Sequence, residues 1–133
     1  MLNCSLSHLF LIVIAEMLDL PFICIFEDDA FPCKNIQSML DLYLKDIPED
    51  VDLLKMGSSK SFTHQRQKFT EFLDKNSSFG SHSYIVFKRY YKKYKALFYK
   101  HPLCDGAPYN GSEFYTKISN NNLILSTNKP LFI

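Results

Sequence analysis

Apolar residues along the chain fall into short blocks separated by polar turns, and each block has the length of a helix or a strand. The block at 9–15 is apolar on nearly every side. It predicts a buried helix that Ser5 or Ser7 caps and that runs to about Leu18. The block at 22–26 is a continuous run of Phe and Ile around one Cys, which predicts a buried strand.

The later blocks continue this alternation of helices and strands. Residues 60–80 are polar and weakly patterned, so we interpret them as an excursion without regular structure. Strands that alternate with helices predict a single α/β domain over 1–133, with a mostly parallel sheet flanked by helices. The individual predictions are a helix at 36–45, strands at 51–56 and 83–87, a basic helix at 88–100, a short helix near 112–119 and a strand near 123–126.

The carboxyl end of the 22–26 strand carries the most informative chemistry. Glu27, Asp28 and Asp29 follow the apolar run directly. Strands of α/β proteins present ligand-binding groups at their carboxyl ends, and three adjacent carboxylates repel one another. A cation that also binds a phosphate would compensate them, because Mg²⁺-like ions combine carboxylate oxygens with substrate phosphates. An exposed acidic turn without any ligand is the alternative.

Net charge is unevenly distributed along the chain. Residues 1–54 carry a net charge of −8, and residues 55–133 carry +9. The two halves attract each other within one fold, or the basic half faces an anionic partner. The run at 88–95 interleaves Lys and Arg with Tyr, which is typical of membrane-surface contacts and equally of a solvated helix face with inward tyrosines. We find no nucleic-acid-binding module and expect no nucleic-acid partner.

Cysteine usage and apolar run lengths bear on the cellular compartment. The four cysteines form no Cys-x-x-Cys pair, so we expect free thiols in a reducing, cytoplasmic setting. The apolar run at 9–15 is too short to span a membrane.

Three motifs give the chain a family resemblance. Residues 3–8 read Asn-Cys-Ser-Leu-Ser-His and are similar to a Gly-Cys-x-x-Ser-His segment that opens a helix, with Asn3 in place of Gly. Residues 25–30 are similar to a strand that ends in Leu-Glu-Asp-Asp, and residues 80–86 to a later Gly-x-x-Ala-Tyr-x-Ile segment. In this order and spacing the motifs resemble glycosyltransferase family 25, the bacterial lipopolysaccharide-type glycosyltransferases.

The resemblance implies a GT-A-like fold and a sugar transfer. The donor would be a nucleotide diphosphate sugar carrying a hexose, with galactose as first candidate, and the acceptor a lipooligosaccharide or lipopolysaccharide. Such an enzyme would work in the cytoplasm at the inner face of the inner membrane, with a peripheral membrane contact through 88–100. By the same resemblance Mn²⁺ or Mg²⁺ would bind the acidic turn, with Asp29 as the first candidate ligand, Asp28 as the second and Glu27 as the third. Asp28 would also contact the donor, and Glu27 would point into the sheet or to a basic partner.

Four further residues are candidates for the same reaction. Asp105, and Glu113 behind it, are candidate general bases for the acceptor hydroxyl, or else ordinary turn and cap carboxylates. His8 would contact a phosphate from a helix start, or is a structural hydrogen-bonding histidine. His82 would line the donor cleft, or packs with the core.

The resemblance also leaves two other functions open. The family has a further α/β segment before its Cys-x-x-Ser-His helix, and that segment supplies the first strand and much of the nucleotide pocket. We therefore expect the chain to correspond to the carboxyl-terminal portion of the fold. A non-catalytic remnant, or half of a split protein, is the main alternative to an enzyme. A metal-dependent phosphohydrolase shares the carboxylates, but no nucleophile motif supports it.

Overall fold

The computed structural model describes residues 2–57, 67–75, 83–100, 123–129 and 131–132. Three helices and six strands form within these ranges, and a 3₁₀ turn at Lys88–Tyr90 precedes the third helix. The helices are α1 (Leu2–Met17), α2 (Ile36–Asp46) and α3 (Tyr91–Lys100). The strands are β1 (Phe22–Phe26), β2 (Leu53–Lys55), β3 (Gln67–Lys68), β4 (Leu73–Lys75), β5 (Ser83–Phe87) and β6 (Ile124–Thr127).

The six strands form one mixed sheet in the order β1-β5-β2-β6-β4-β3. Among the described strands, β2 and β6 are the parallel neighbours, and every other neighbouring pair is antiparallel. The predicted α/β class is correct, but the prediction of a mostly parallel sheet is wrong. Strands β1 and β2 do run in the same direction, as a strand–helix–strand connection through α2 requires. Strand β5 pairs with both and separates them.

Each face of the sheet packs against different helices. One face, with Leu53, Tyr84 and Val86 at its centre, is covered by α1 and α3. The opposite face, with Leu54 and Ile85 at its centre, packs against α2. Both cores follow from the alternation of side chains along a strand, because neighbouring residues point to opposite faces.

The prediction for the first helix was wrong in two respects. Helix α1 begins at Leu2, so neither Ser5 nor Ser7 starts it. The helix is also not buried on every side, because Phe10 is 65% exposed and Met17 is 79% exposed. When a helix is apolar on nearly every side, its sequence does not indicate which face meets the core. In the structure, α1 packs on the sheet through one face only.

Two short strands occupy part of the segment that we predicted to lack regular structure. Strands β3 and β4 pair with each other, and β4 also pairs with β6. The turn between them is stabilised by Thr70, whose Oγ1 accepts a hydrogen bond of 3.0 Å from the backbone N–H of Leu73. The predicted helix near 112–119 lies outside the described residues.

Oppositely charged halves of the chain meet in the fold. Lys88 Nζ lies 2.7 Å from an Asp19 carboxylate oxygen, and Lys95 forms an ion pair with Glu16. These contacts join the basic segment around α3 to the acidic amino-terminal half, so part of the charge asymmetry is compensated within the protein. None of the helices in the described ranges is long and apolar enough to cross a membrane.

Candidate functional site at the acidic end of the first strand

The acidic turn lies at the sheet edge where three strands end. Strand β1 stops at Phe26, and a backbone hydrogen bond of 3.1 Å from Ala30 N–H to the carbonyl oxygen of Glu27 closes the turn. Because β1, β2 and β6 run in the same direction, their carboxyl ends share this edge. Ligands of open α/β sheets bind at such an edge.

The three carboxylates of the turn have different environments. The Glu27 side chain is 22% exposed, and its Oε1 lies 4.0 Å from Nε2 of His8. Asp28 and Asp29 are both exposed at the tip of the turn. Glu27 is therefore directed toward α1, whereas the two aspartates are accessible to a ligand from solution.

His8 connects the acidic turn to the sheet. Its Nδ1 is 2.5 Å from the hydroxyl oxygen of Tyr84, and the two rings stack with centroids 5.7 Å apart. The residue is only 5% exposed and lies in the second turn of α1. Its backbone N–H is thus in the helix interior rather than among the first four free donors. A phosphate contact by His8 stays a prediction, and it would have to use the imidazole ring.

A row of buried polar side chains extends from Tyr84 across the sheet. Tyr84 on β5 is the register partner of Lys55 on β2, which faces Ser126 on β6, which in turn faces Asp74 on β4. The four residues share the face that carries α1, and each is at most 6% exposed. We call them the polar row. It runs close to the edge that bears the acidic turn, because Tyr84 also pairs with Ile25 of β1.

Lys55 is the basic residue of the polar row, which sequence reasoning missed as a whole. Burial lowers the pKa of its amine from the usual 10.5 to about 7. A signal was present in the sequence, because Lys55 interrupts an apolar strand between Leu54 and Met56.

The acidic turn fits a metal ion that takes many of its ligands from a substrate. Asp28 and Asp29 provide the hard oxygen donors that Mg²⁺ and Mn²⁺ accept. Within the described ranges, no three His, Cys, Asp or Glu side chains are grouped so as to hold a metal. The donor set matches a cation bound through one or two carboxylates together with phosphate oxygens and water, and not a closed protein cage.

Three of the candidate site residues, His82, Asp105 and Glu113, lie outside the described residues. Their roles stay predictions.

The structure thus combines an α/β sheet with accessible carboxylates at the carboxyl end of a strand, the position at which open α/β sheets generally bind their ligands. A comparison with protein families matches residues 1–106 to glycosyltransferase family 25 (LPS biosynthesis protein), and the chain belongs to this family. The match confirms the resemblance seen in the motifs, and it implies a GT-A-like fold. A search of curated proteins returned no match.

Proposed function

We propose that the chain is a metal-dependent glycosyltransferase. It transfers a hexose, with galactose as first candidate, from a nucleotide diphosphate sugar to a lipooligosaccharide or lipopolysaccharide acceptor. Membership of glycosyltransferase family 25 supports sugar transfer in lipopolysaccharide biosynthesis. The observation that carries the proposal furthest is the acidic turn, where Asp28 and Asp29 are exposed at the sheet edge while Glu27 is held near His8.

The three carboxylates of the turn have different roles in donor binding. Asp29, and Asp28 beside it, would hold Mn²⁺ or Mg²⁺, and such a cation neutralises the charge that develops on a leaving diphosphate. Asp28 would also contact the ribose or the sugar. Glu27 fixes the turn against α1 through His8, and the hydrogen bond between His8 and Tyr84 fixes that histidine against the sheet.

Acceptor activation needs a general base near the attacking hydroxyl. We assign this role to Asp105, with Glu113 as second choice, and place His82 at the donor cleft. These assignments rest on the sequence alone.

A lipid-linked acceptor would bring the protein to the cytoplasmic face of the inner membrane. We propose that the segment 88–100 provides a peripheral contact there. Several of its basic side chains are paired with acids of this chain, since Arg89 and Lys93 both approach Asp52. Lys92 and Tyr99 are exposed, with Tyr99 at 73%, and are the residues most available to a membrane surface.

Donor binding is tested by titrating the purified chain with UDP by calorimetry, with and without Mn²⁺. We expect binding that depends on the metal and that Asp29→Asn weakens at least about tenfold, because the amide keeps the size of the side chain and loses its charge. Asp50→Asn is the matched control. Asp50 is also an exposed aspartate in a turn, but it precedes β2 and therefore lies at the opposite edge of the sheet. Equal losses in both variants would remove the acidic turn from the donor site.

A non-catalytic remnant, or half of a split protein, is the second candidate. The observation in its favour is that, of the three carboxylates of the turn, only Asp28 and Asp29 are exposed. Within the described residues, no group of three possible metal ligands is found. The same titration separates the two candidates. A folded parent chain that binds UDP neither with nor without Mn²⁺ would support the remnant.

A further inference from the structure

Three residues from distant parts of the sequence meet behind the acidic turn. His8 lies on α1, Glu27 opens the turn after β1, and Tyr84 lies on β5. Each of them belongs to a different one of the three motifs that carry the family resemblance. The fold therefore brings the three motifs together at one point, and we call these residues the Tyr–His–Glu chain.

Tyr84 is the member of the chain that is fixed in the sheet. It is the register partner of Ile25 on β1 and of Lys55 on β2, so a strand pairs with it on either side. Its side chain is buried in the core beneath α1. Because a close-packed core holds a side chain in one rotamer, the Tyr84 hydroxyl is a fixed point from which other groups can be oriented.

Helix α1 places His8 against this hydroxyl. Ile12 and Ala15 follow His8 at the spacing of one helix face, and both are fully buried against the sheet. His8 therefore also points toward the sheet, where its ring stacks on that of Tyr84 at an interplanar angle of 24°. With Nδ1 hydrogen-bonded to the Tyr84 hydroxyl, Nε2 is the ring nitrogen that faces the acidic turn.

The position of the ring proton follows from the atoms that face each nitrogen. Nε2 lies 4.0 Å from Glu27 Oε1, where a bare nitrogen lone pair would face a carboxylate oxygen of the same sign. A proton on Nε2 changes this repulsion into an attraction. In the neutral imidazole Nδ1 is then an acceptor, so the Tyr84 hydroxyl is the donor of the hydrogen bond between them.

We propose that Tyr84 is a positioning residue of the donor site, which acts through His8 to hold Glu27 on the α1 side of the acidic turn. The Tyr84 O–H donates to Nδ1, and the Nε2–H points to the Glu27 carboxylate. This inference rests on the function proposed above, and it gives a residue of the buried core a role in donor binding.

The acidic turn is where this positioning takes effect. Ala30 N–H donates a hydrogen bond of 3.1 Å to the carbonyl oxygen of Glu27, which closes the turn, and Asp28 and Asp29 between them are exposed. A Glu27 side chain held against α1 keeps the two aspartates directed outward before any ligand arrives. A site that is already ordered loses less entropy on binding, so it binds a cation and its phosphates more tightly.

The direction of the hydrogen bonds is tested on the parent chain by long-range ¹H–¹⁵N NMR of the His8 ring. At about pH 8, above the ordinary titration range of histidine, the spectrum shows which ring nitrogen carries a proton. We expect the proton on Nε2 alone. A proton on Nδ1, in the other neutral form or in a doubly protonated ring, would overturn the proposal, because Tyr84 could not then be the donor. This measurement needs no ligand.

Tyr84→Phe removes the hydroxyl and keeps the ring, and Tyr90→Phe is the matched control. Tyr90 is a buried tyrosine of the same core, but it follows β5 at the opposite edge of the sheet. We expect Tyr84→Phe to raise the Kd for UDP in the presence of Mn²⁺ about tenfold, the usual effect of removing a group that orients metal ligands. It should also speed amide hydrogen exchange of Ala30 roughly fivefold, because the turn loses part of its support. Tyr90→Phe should change neither quantity.

The outcomes separate this inference from the proposed function. A parent chain that binds UDP with Mn²⁺, together with a Tyr84→Phe variant of unchanged Kd, would overturn the role of Tyr84 and leave the proposed function intact. A parent chain that binds no UDP would overturn the proposed function and the donor-site role with it. The exchange rate of Ala30 would then decide by itself whether Tyr84 holds the turn.

A double-mutant cycle tests whether Tyr84 acts through His8. His8→Phe removes both ring nitrogens, so the Tyr84 hydroxyl has no imidazole left to orient. We therefore expect His8→Phe and the double variant with Tyr84→Phe to bind UDP with Kd values within about twofold of each other. A further tenfold loss in the double variant would show that Tyr84 acts independently of His8, and it would overturn the proposal. If His8→Phe does not fold, the NMR spectrum of the parent and the Tyr84→Phe comparison decide the question.

Discussion

Replacing Lys55 with methionine should stabilise the protein at neutral pH. The Lys55 side chain is fully buried, and burial lowers the pKa of its amine from 10.5 to about 7. At about 1.4 kcal/mol for each pH unit, this difference corresponds to a cost of about 5 kcal/mol for the protonated amine in the folded state. Methionine has a similar length and no charge to desolvate, so Lys55→Met should raise the free energy of unfolding by several kcal/mol near pH 6.

The pH dependence follows from the direction of the pKa change. Between about pH 7 and 10.5 the unfolded chain keeps the proton on Lys55, whereas the folded protein has released it. The unfolded state then binds more protons, so the stability of the parent rises with pH across this interval. The advantage of Lys55→Met should therefore shrink by about 1.4 kcal/mol for each pH unit above pH 7. Below pH 7 the advantage should be constant.

Urea denaturation followed by circular dichroism, at several values between about pH 6 and 9, measures this difference. Burial raises the pKa of Tyr43, Tyr90 and Tyr91, which lowers stability above about pH 10, so the series stops short of that range. Lys92→Met is the control, because Lys92 is exposed on α3. An advantage of Lys55→Met that does not change with pH would refute the reasoning, since it would show that the buried amine does not release its proton in this interval.

Two other substitutions test the surroundings of α3. Asp52→Ala should lower the free energy of unfolding by about 3 kcal/mol in the same urea assay, because this buried carboxylate accepts a backbone hydrogen bond of 2.9 Å from Leu123 and approaches Arg89 Nε at 3.1 Å. A loss no larger than that of Asp50→Ala, an exposed neighbour, would contradict this. Lys92→Glu should weaken sedimentation with vesicles of anionic lipid, most strongly at low salt, and unchanged binding would remove α3 from the proposed membrane contact.

The pattern of apolar residues predicted individual helices and strands well where that local pattern alone determines the secondary structure. The strand predicted at 83–87 matches β5, and the helix predicted at 36–45 matches α2 within one residue. The order of the strands in the sheet could not be predicted in this way. Strand β5 comes late in the sequence, yet it lies between β1 and β2 in the sheet. The order of the strands depends on which neighbours together bury the most surface. No local periodicity contains that information.

Burial of β1 was mispredicted for a related reason. An apolar run is expected to lie inside a sheet, but among the described strands β1 lies at the edge, and its two phenylalanines are about half exposed. The same limit applies to the candidate site. The acidic turn was found because Glu27, Asp28 and Asp29 are adjacent in sequence. The polar row was not, because Tyr84, Lys55, Ser126 and Asp74 meet only through strand register.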